Sequence, residues 1–167
     1  KVSHYNHTAD YGFDRFGHDG FHEHAGIAAA AEFLKHRPRQ SAGAKPLCLM
    51  VGSNWPHVPW PGTTDPDPAK LTLPAGGVDT PATRQWRARY AAAVARADEE
   101  LGVVLDAARD HLPVDTLILF SSDHGAQWPF GKWNLYESGV GVPLIVVWPG
   151  VVKPGGRAGA MVQWIGI

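Results

Sequence analysis

The chain has 167 residues, 44% of them hydrophobic and 19% charged, with a formal net charge of -1. That length suits one domain with a sizeable core, and that charge excludes recruitment of nucleic acid or an anionic membrane by bulk electrostatics. A single cysteine, Cys48, excludes an internal disulfide framework without fixing the compartment, and no apolar run approaches the roughly 20 residues of a membrane helix.

In chain order, residues 1–21 form a Gly/His/Asp/aromatic loop with no period and no visible signal peptide. Six of the nine histidines come early: His4, His7, His18, His22, His24 and His36. Glu23 to Arg37 follows as a helix, with Ile27, Ala30, Ala31 and Leu34 at helical spacing and Pro38 ending it. "PLCLMVG" (Pro46 to Gly52) is a continuous apolar run, expected to be a buried strand with Cys48 inside it. "SNWPHVPWPGTTDPDP" then sets five prolines in sixteen residues, so it is irregular.

A long helix follows from Pro81 to His111. Thr80 caps it, Pro81 suits its first position and Pro113 closes it. Trp86, Tyr90, Val94, Ala97, Leu101, Val104 (or Leu105) and Ala108 form its apolar stripe. "VDTLILFSS" and "VPLIVVWPG" read as two more buried strands. Apolar strands separated by helices imply an α/β architecture with a mostly parallel sheet flanked by helices. The start at Lys1 and the stop inside the apolar "MVQWIGI" read as a piece of a longer protein.

In such sheets ligands bind beyond the carboxyl ends of the strands. His57 lies shortly after the run ending near Gly52, and Asp123 and His124 lie just after the run ending near Ser121. A carboxylate beside a neutral imidazole offers an oxygen and a nitrogen to a divalent cation, and Gly125 permits the turn that would bring both to one ion. An isolated Asp-His-Gly is more often a salt-bridged acid beside a surface histidine. Lys132 follows Gly131, which allows close backbone approach, so the lysine could meet an anion or simply be solvated. The prolines around His57 stiffen its loop. Lys1 and His4 carry no signal by themselves.

Together these segments resemble the sulfatases of the alkaline phosphatase superfamily. "SSDHG" followed by "GKWNLYESGVGVPLIVVWPG" resembles the later part of the sulfatase signature. "LCLMVGSNWPHVPW" is similar to the family's strand and Pro-His-x-Pro loop, and "RYAAAVARADEELGVVLDA" to its long helix. "KVSH" resembles the Gly-Lys-Val-x-His segment of the iduronate-sulfatase-like branch, which also carries Asp-His where other sulfatases carry Asp-Asn. The resemblance covers nearly the whole chain in order. It implies a partial alkaline-phosphatase-like fold over residues 1–167, with the N-terminal strands and the C-terminal region lying elsewhere.

It also implies a calcium-dependent sulfuric ester hydrolase, with Mg²⁺ as the alternative ion, acting on a sulfated sugar or glycosaminoglycan. Asp123 and His124 would be two metal ligands. Lys132 would contact the sulfate, and His57 would hydrogen-bond it or protonate the leaving group. Lys1 would stabilise the nucleophile and His4 assist it. An exported, periplasmic or lysosome-like compartment is implied, while the charge and the lack of a long apolar run argue for no nucleic-acid partner and no membrane span.

The sequence departs from the family in three places. It has no Asp-Asp pair and no C/S-x-P-x-R motif, whose first residue becomes the formylglycine nucleophile. Where the family runs Asp-Ile-x-Pro-Thr, the chain has Gly166 in "WIGI". The chain alone is therefore expected to be inactive. A phosphodiesterase or phosphonate monoester hydrolase of the same superfamily is one alternative. The other is a degenerate homologue that binds sulfated glycans by stacking Trp55, Trp60, Trp128 or Trp133 on sugar rings.

Overall fold

The computed structural model describes residues 12–15, 25–38, 43, 45–62, 65–74 and 77–166. The chain divides into two compact units, one ending at Leu112 and one starting at Pro113. Lys1 and His4 lie outside the described residues. Among the described residues no helix is long and apolar enough to cross a membrane.

The first unit is built on two helices, α1 (Ala25–His36) and α2 (Pro81–His111), which pack against each other. Ile27, Ala30 and Leu34 repeat at helical steps and bury one face of α1. Its last turn is basic, and His36 Nε2 sits 3.0 Å from Glu32 Oε2 one turn back. α2 begins as its cap chemistry dictates. The Thr80 hydroxyl accepts from the Thr83 N–H at 3.1 Å, and the Leu112 N–H closes the far end on the Ala108 carbonyl at 2.8 Å. Such a cap is worth about 1 kcal/mol.

The expected α2 stripe is corrected. Ala88 and Ala93 are its fully buried residues, whereas Trp86 and Val94 are exposed. Five residues apart, the two alanines lie ~140° apart around the axis. α2 is therefore covered on two sides, by α1 and by the segment that includes the 3₁₀ turn Pro68–Lys70. Small side chains suit both sides because they let backbones approach.

Arg84 ties that turn to the helix. Its guanidinium grips both oxygens of Asp79, at 2.6 and 2.8 Å, and Nη1 also donates to the carbonyls of Pro68, Ala69 and Leu71. The Arg84 guanidinium holds the Asp79 carboxyl below its ordinary range, and Asp79 in turn raises Arg84.

The Pro46–Gly52 run is not a strand, and Cys48 is exposed rather than buried. A strand requires a ladder partner for its backbone groups. Within its unit no other strand is described.

The second unit holds β1 (Ile118–Ser121), α3 (Glu137–Val140) and β2 (Leu144–Val147). Both strands fall within the predicted apolar runs. They pair antiparallel, Ile118 opposite Val147 and Ser121 opposite Leu144. The expected mostly parallel arrangement is not what this pair forms. A parallel return needs a full crossover, usually a helix, and the connection here carries only the four-residue α3. The strands are also more exposed than predicted, with Ile145 and Val147 about half exposed.

Candidate functional site

Asp123 and His124 come one residue after β1, at its carboxyl end. The segment is pinned from several directions. The Ser121 hydroxyl donates to the Pro143 carbonyl at 2.6 Å, tying the end of β1 to the residue before β2. The Trp164 indole donates to the Ser122 carbonyl at 3.1 Å, and the Ser122 hydroxyl donates to the His124 carbonyl at 2.8 Å.

Asp123 Oδ1 accepts the His124 backbone N–H at 3.0 Å. Its other oxygen stands 3.5 Å from His124 Nε2, and the Asp123 side chain is 78% exposed. His124 Nδ1 lies 2.8 Å from the Gly125 carbonyl. A carbonyl only accepts, so Nδ1 carries the proton and Nε2 of the neutral ring keeps its lone pair. This is the arrangement of a metal-binding histidine oriented through its other nitrogen.

The pair fits a shared cation. Two donors about 2.4 Å from one ion and at about a right angle lie about 3.4 Å apart. Two donors would be only part of the roughly six to eight ligands that Ca²⁺ takes. Among the described residues no group of three or more His, Cys, Asp or Glu side chains is placed to hold a metal.

The loop after His124 is closed by glycines. The Gly125 N–H donates to the Gly139 carbonyl at 2.8 Å, and a methyl at Gly125 would run into the Ser138 carbonyl. Gly131 is buried against the Ala126 carbonyl, and Gly139 against those of Asn134 and Gly131. Lys132 sits on this framework, its N–H donating to the Ala126 carbonyl at 2.9 Å and its ammonium 5.2 Å from the centre of the Trp133 ring.

Phe130 and Trp133 flank Gly131-Lys132 with φ of 64° and 69°. Large side chains rarely adopt this left-handed backbone. Phe130 is held there by the Ser138 hydroxyl, which donates to its carbonyl at 2.6 Å, and by edge-on contact with Tyr136. The structure thus places Asp123, His124 and Lys132 on one pinned loop system after β1.

His57 belongs to the first unit, at the apex of the loop from Ser53 to Trp60. Its N–H closes a turn on the Asn54 carbonyl at 3.0 Å. Its Nδ1 lies 2.6 Å from the Val58 carbonyl, so here too the proton sits on Nδ1 and Nε2 is the acceptor of the neutral ring. The Trp55–Pro56 and Val58–Pro59 peptide bonds are cis. The Trp60 indole donates to the Pro56 carbonyl at 2.8 Å, and its ring meets Trp86 and Tyr90 of α2 edge-on. Burial pushes the Tyr90 phenol above its ordinary value, partly opposed by Arg87.

At the other end of the loop the Ser53 hydroxyl donates to Glu100 of α2. Sequence reasoning does not single out Ser53 or Glu100. Glu100 sits in "ADEE", which reads as a solvated charge run.

The sulfatase family model matches residues 4–163. The chain is 39% identical over 84 residues to human N-sulphoglucosamine sulphohydrolase, which covers 50% of the chain and 17% of that protein. It is 30% identical to mouse iduronate 2-sulfatase, over 77% of the chain and 31% of the relative. It is 24% identical to the ulvan-active sulfatase of Formosa agariphila, over 72% of the chain and 24% of the relative. The chain thus spans under a third of the length of these curated relatives. No solved structure matches it.

Proposed function

Since the chain belongs to the sulfatase family, we propose that it is part of the catalytic domain of a calcium-dependent sulfuric ester hydrolase acting on a sulfated sugar or glycosaminoglycan. The observation that carries the reading is the Asp123–His124 pair. It follows β1 within the span matched to the family, with a carboxylate oxygen 3.5 Å from an imidazole nitrogen whose lone pair is free of the backbone. The names of three relatives, which specify N-sulphoglucosamine, iduronate and ulvan, support a sugar sulfate.

In this reading Asp123 and His124 are two ligands of Ca²⁺, with Mg²⁺ as the alternative, and further oxygen ligands come from outside this sequence. The bound ion supplies counter-charge for the sulfate. Lys132 offsets the negative charge that grows on the sulfate oxygens as the ester bond breaks. His57, once protonated at Nε2, donates to the sulfate or to the leaving oxygen. Lys1 and His4 assist the nucleophile, a formylglycine supplied from outside this sequence. The 167 residues alone are accordingly inactive.

The test is turnover of 4-nitrophenyl sulfate by the full-length enzyme, before and after chelation, beside calorimetric titration with Ca²⁺. Chelation should abolish turnover and Ca²⁺ restore it, while Asp123→Ala should weaken Ca²⁺ binding at least tenfold. Preference for a phosphate diester would replace this reading with phosphoryl chemistry. The Trp133 ring, 82% exposed, favours a second reading. Tight binding of a sulfated oligosaccharide with no turnover by the full-length protein would establish a glycan-binding homologue instead.

A further inference from the structure

We propose that Glu100 and Ser53 are positioning residues for His57, and that α2 acts through them to hold the imidazole in one orientation and one tautomer. The claim rests on the reading of His57 as a residue of the sulfate site.

Three observations carry it. The first is a polar strut. The Ser53 hydroxyl donates to Glu100 and at the same time accepts the Trp55 N–H at 3.0 Å, so one side chain joins the helix to the backbone two residues before His57. Ser53 and Glu100 are 47 residues apart in sequence and both are half-buried, where a carboxylate–hydroxyl bond is screened less than at the surface. The second is that the loop is gripped along its length by the same helix. The Arg96 guanidinium lies 5.1 Å from the centre of the Trp55 ring, and Trp60 packs on Trp86 and Tyr90. Residues 86, 90, 96 and 100 fall within an arc of ~120° on α2, so one side of the helix meets the loop before and after its apex.

The third observation is the result at the apex. The Asn54–His57 turn and the 2.6 Å approach of His57 Nδ1 to the Val58 carbonyl fix which ring nitrogen is protonated. That short bond survives only while the backbone at residues 54–58 keeps its path, and the strut sets where the path begins. A misplacement of about 1 Å in a catalytic group can cost on the order of a hundredfold in rate, so a remote strut of this kind affects turnover more than substrate binding.

The experiment compares Glu100→Ala, Ser53→Ala and the conservative Glu100→Gln, which keeps an acceptor oxygen. Two readouts are taken: the ¹⁵N spectrum of the His57 ring, which reports the tautomer, and kcat and KM of the full-length enzyme on 4-nitrophenyl sulfate. Expected are a wild-type ring protonated at Nδ1 and mixed tautomers in both alanine variants. Their kcat should fall roughly tenfold or more with KM changed less than about threefold. Glu100→Gln should stay within about threefold of wild type. A role limited to stability would lower the melting temperature without changing the ring spectrum or splitting kcat from KM. An unchanged His57 ring spectrum in both alanine variants overturns the proposal. His57→Ala separates the two claims. If it leaves turnover at the wild-type level the catalytic assignment of His57 falls, and the ring spectra still decide whether Glu100 and Ser53 position it.

Discussion

Two histidines of this chain are set by the same small device, a backbone carbonyl one residue ahead that takes the Nδ1 proton. The device leaves each Nε2 with a lone pair, which suits a metal ligand at His124 and a proton carrier at His57. In the proposed mechanism Lys132 would contribute positive charge alone. Lys132→Ala in the full-length enzyme should lower turnover at least tenfold by removing stabilisation of the breaking ester, and a rate equal to wild type would end that assignment. Gly131 matters for a different reason. Its Cα is packed on the Ala126 carbonyl with no room for a methyl. Gly131→Ala should therefore destabilise the second unit by about 1–3 kcal/mol, measured as a lower melting temperature. Asp123, His124, Lys132 and His57 could be nominated as candidates from the sequence, because their types and neighbours carry chemistry. Ser53 and Glu100 could not. Their meaning is a contact across 47 residues, and neither has a spacing that announces it.

At the scale of elements, local chemistry was legible and pairing was not. The bounds of α2 follow from Thr80, Pro81 and the proline after its end, all of which act on adjacent backbone groups. Strands depend on partners that are remote in sequence. An apolar run reports that a segment is fit for burial, not which neighbour it meets or in which direction. The Pro46–Gly52 run accordingly stays outside any ladder, and β1 and β2 pair antiparallel. The junction of α2 with the Pro68–Lys70 turn carries a pH signature. Asp79 titrates below its unfolded range because of Arg84. The stability it adds is present above about pH 4, the unfolded carboxylate value, and is lost as pH falls through the lower folded value. Thermal melts of wild type and Asp79→Asn should differ at neutral pH and converge in acid. A gap that persists down to pH 2 would show that the ion pair is not its source.

For the molecule as a whole, family membership was the most legible property, since it rests on the order of several segments rather than on any one contact. The covering of the apolar surface was the least legible. The two-stranded sheet shows Leu119, Phe120, Ile145, Val146 and Val147 all more than a third exposed. Apolar surface of this extent attracts hydrophobic dyes. The 167-residue chain by itself should therefore enhance anilinonaphthalene sulfonate fluorescence in its folded state, and Ile145→Lys should reduce the signal. No enhancement would mean that the chain covers this sheet in solution.

The grip of α2 on its surroundings has a consequence for descent. From Arg84 to Glu100 the helix is engaged at five points by the Pro68–Lys70 turn and the His57 loop. Substitutions there change one contact at a time. A residue inserted or deleted between Tyr90 and Arg96 would turn everything beyond it by ~100° and slide it by ~1.5 Å, putting Arg96 and Glu100 out of phase with Trp86 and Tyr90. Lineages carrying this arrangement are thus free to drift in spelling along that stretch but are held to a fixed count, and length variants should collect before Asp79 or beyond Glu100.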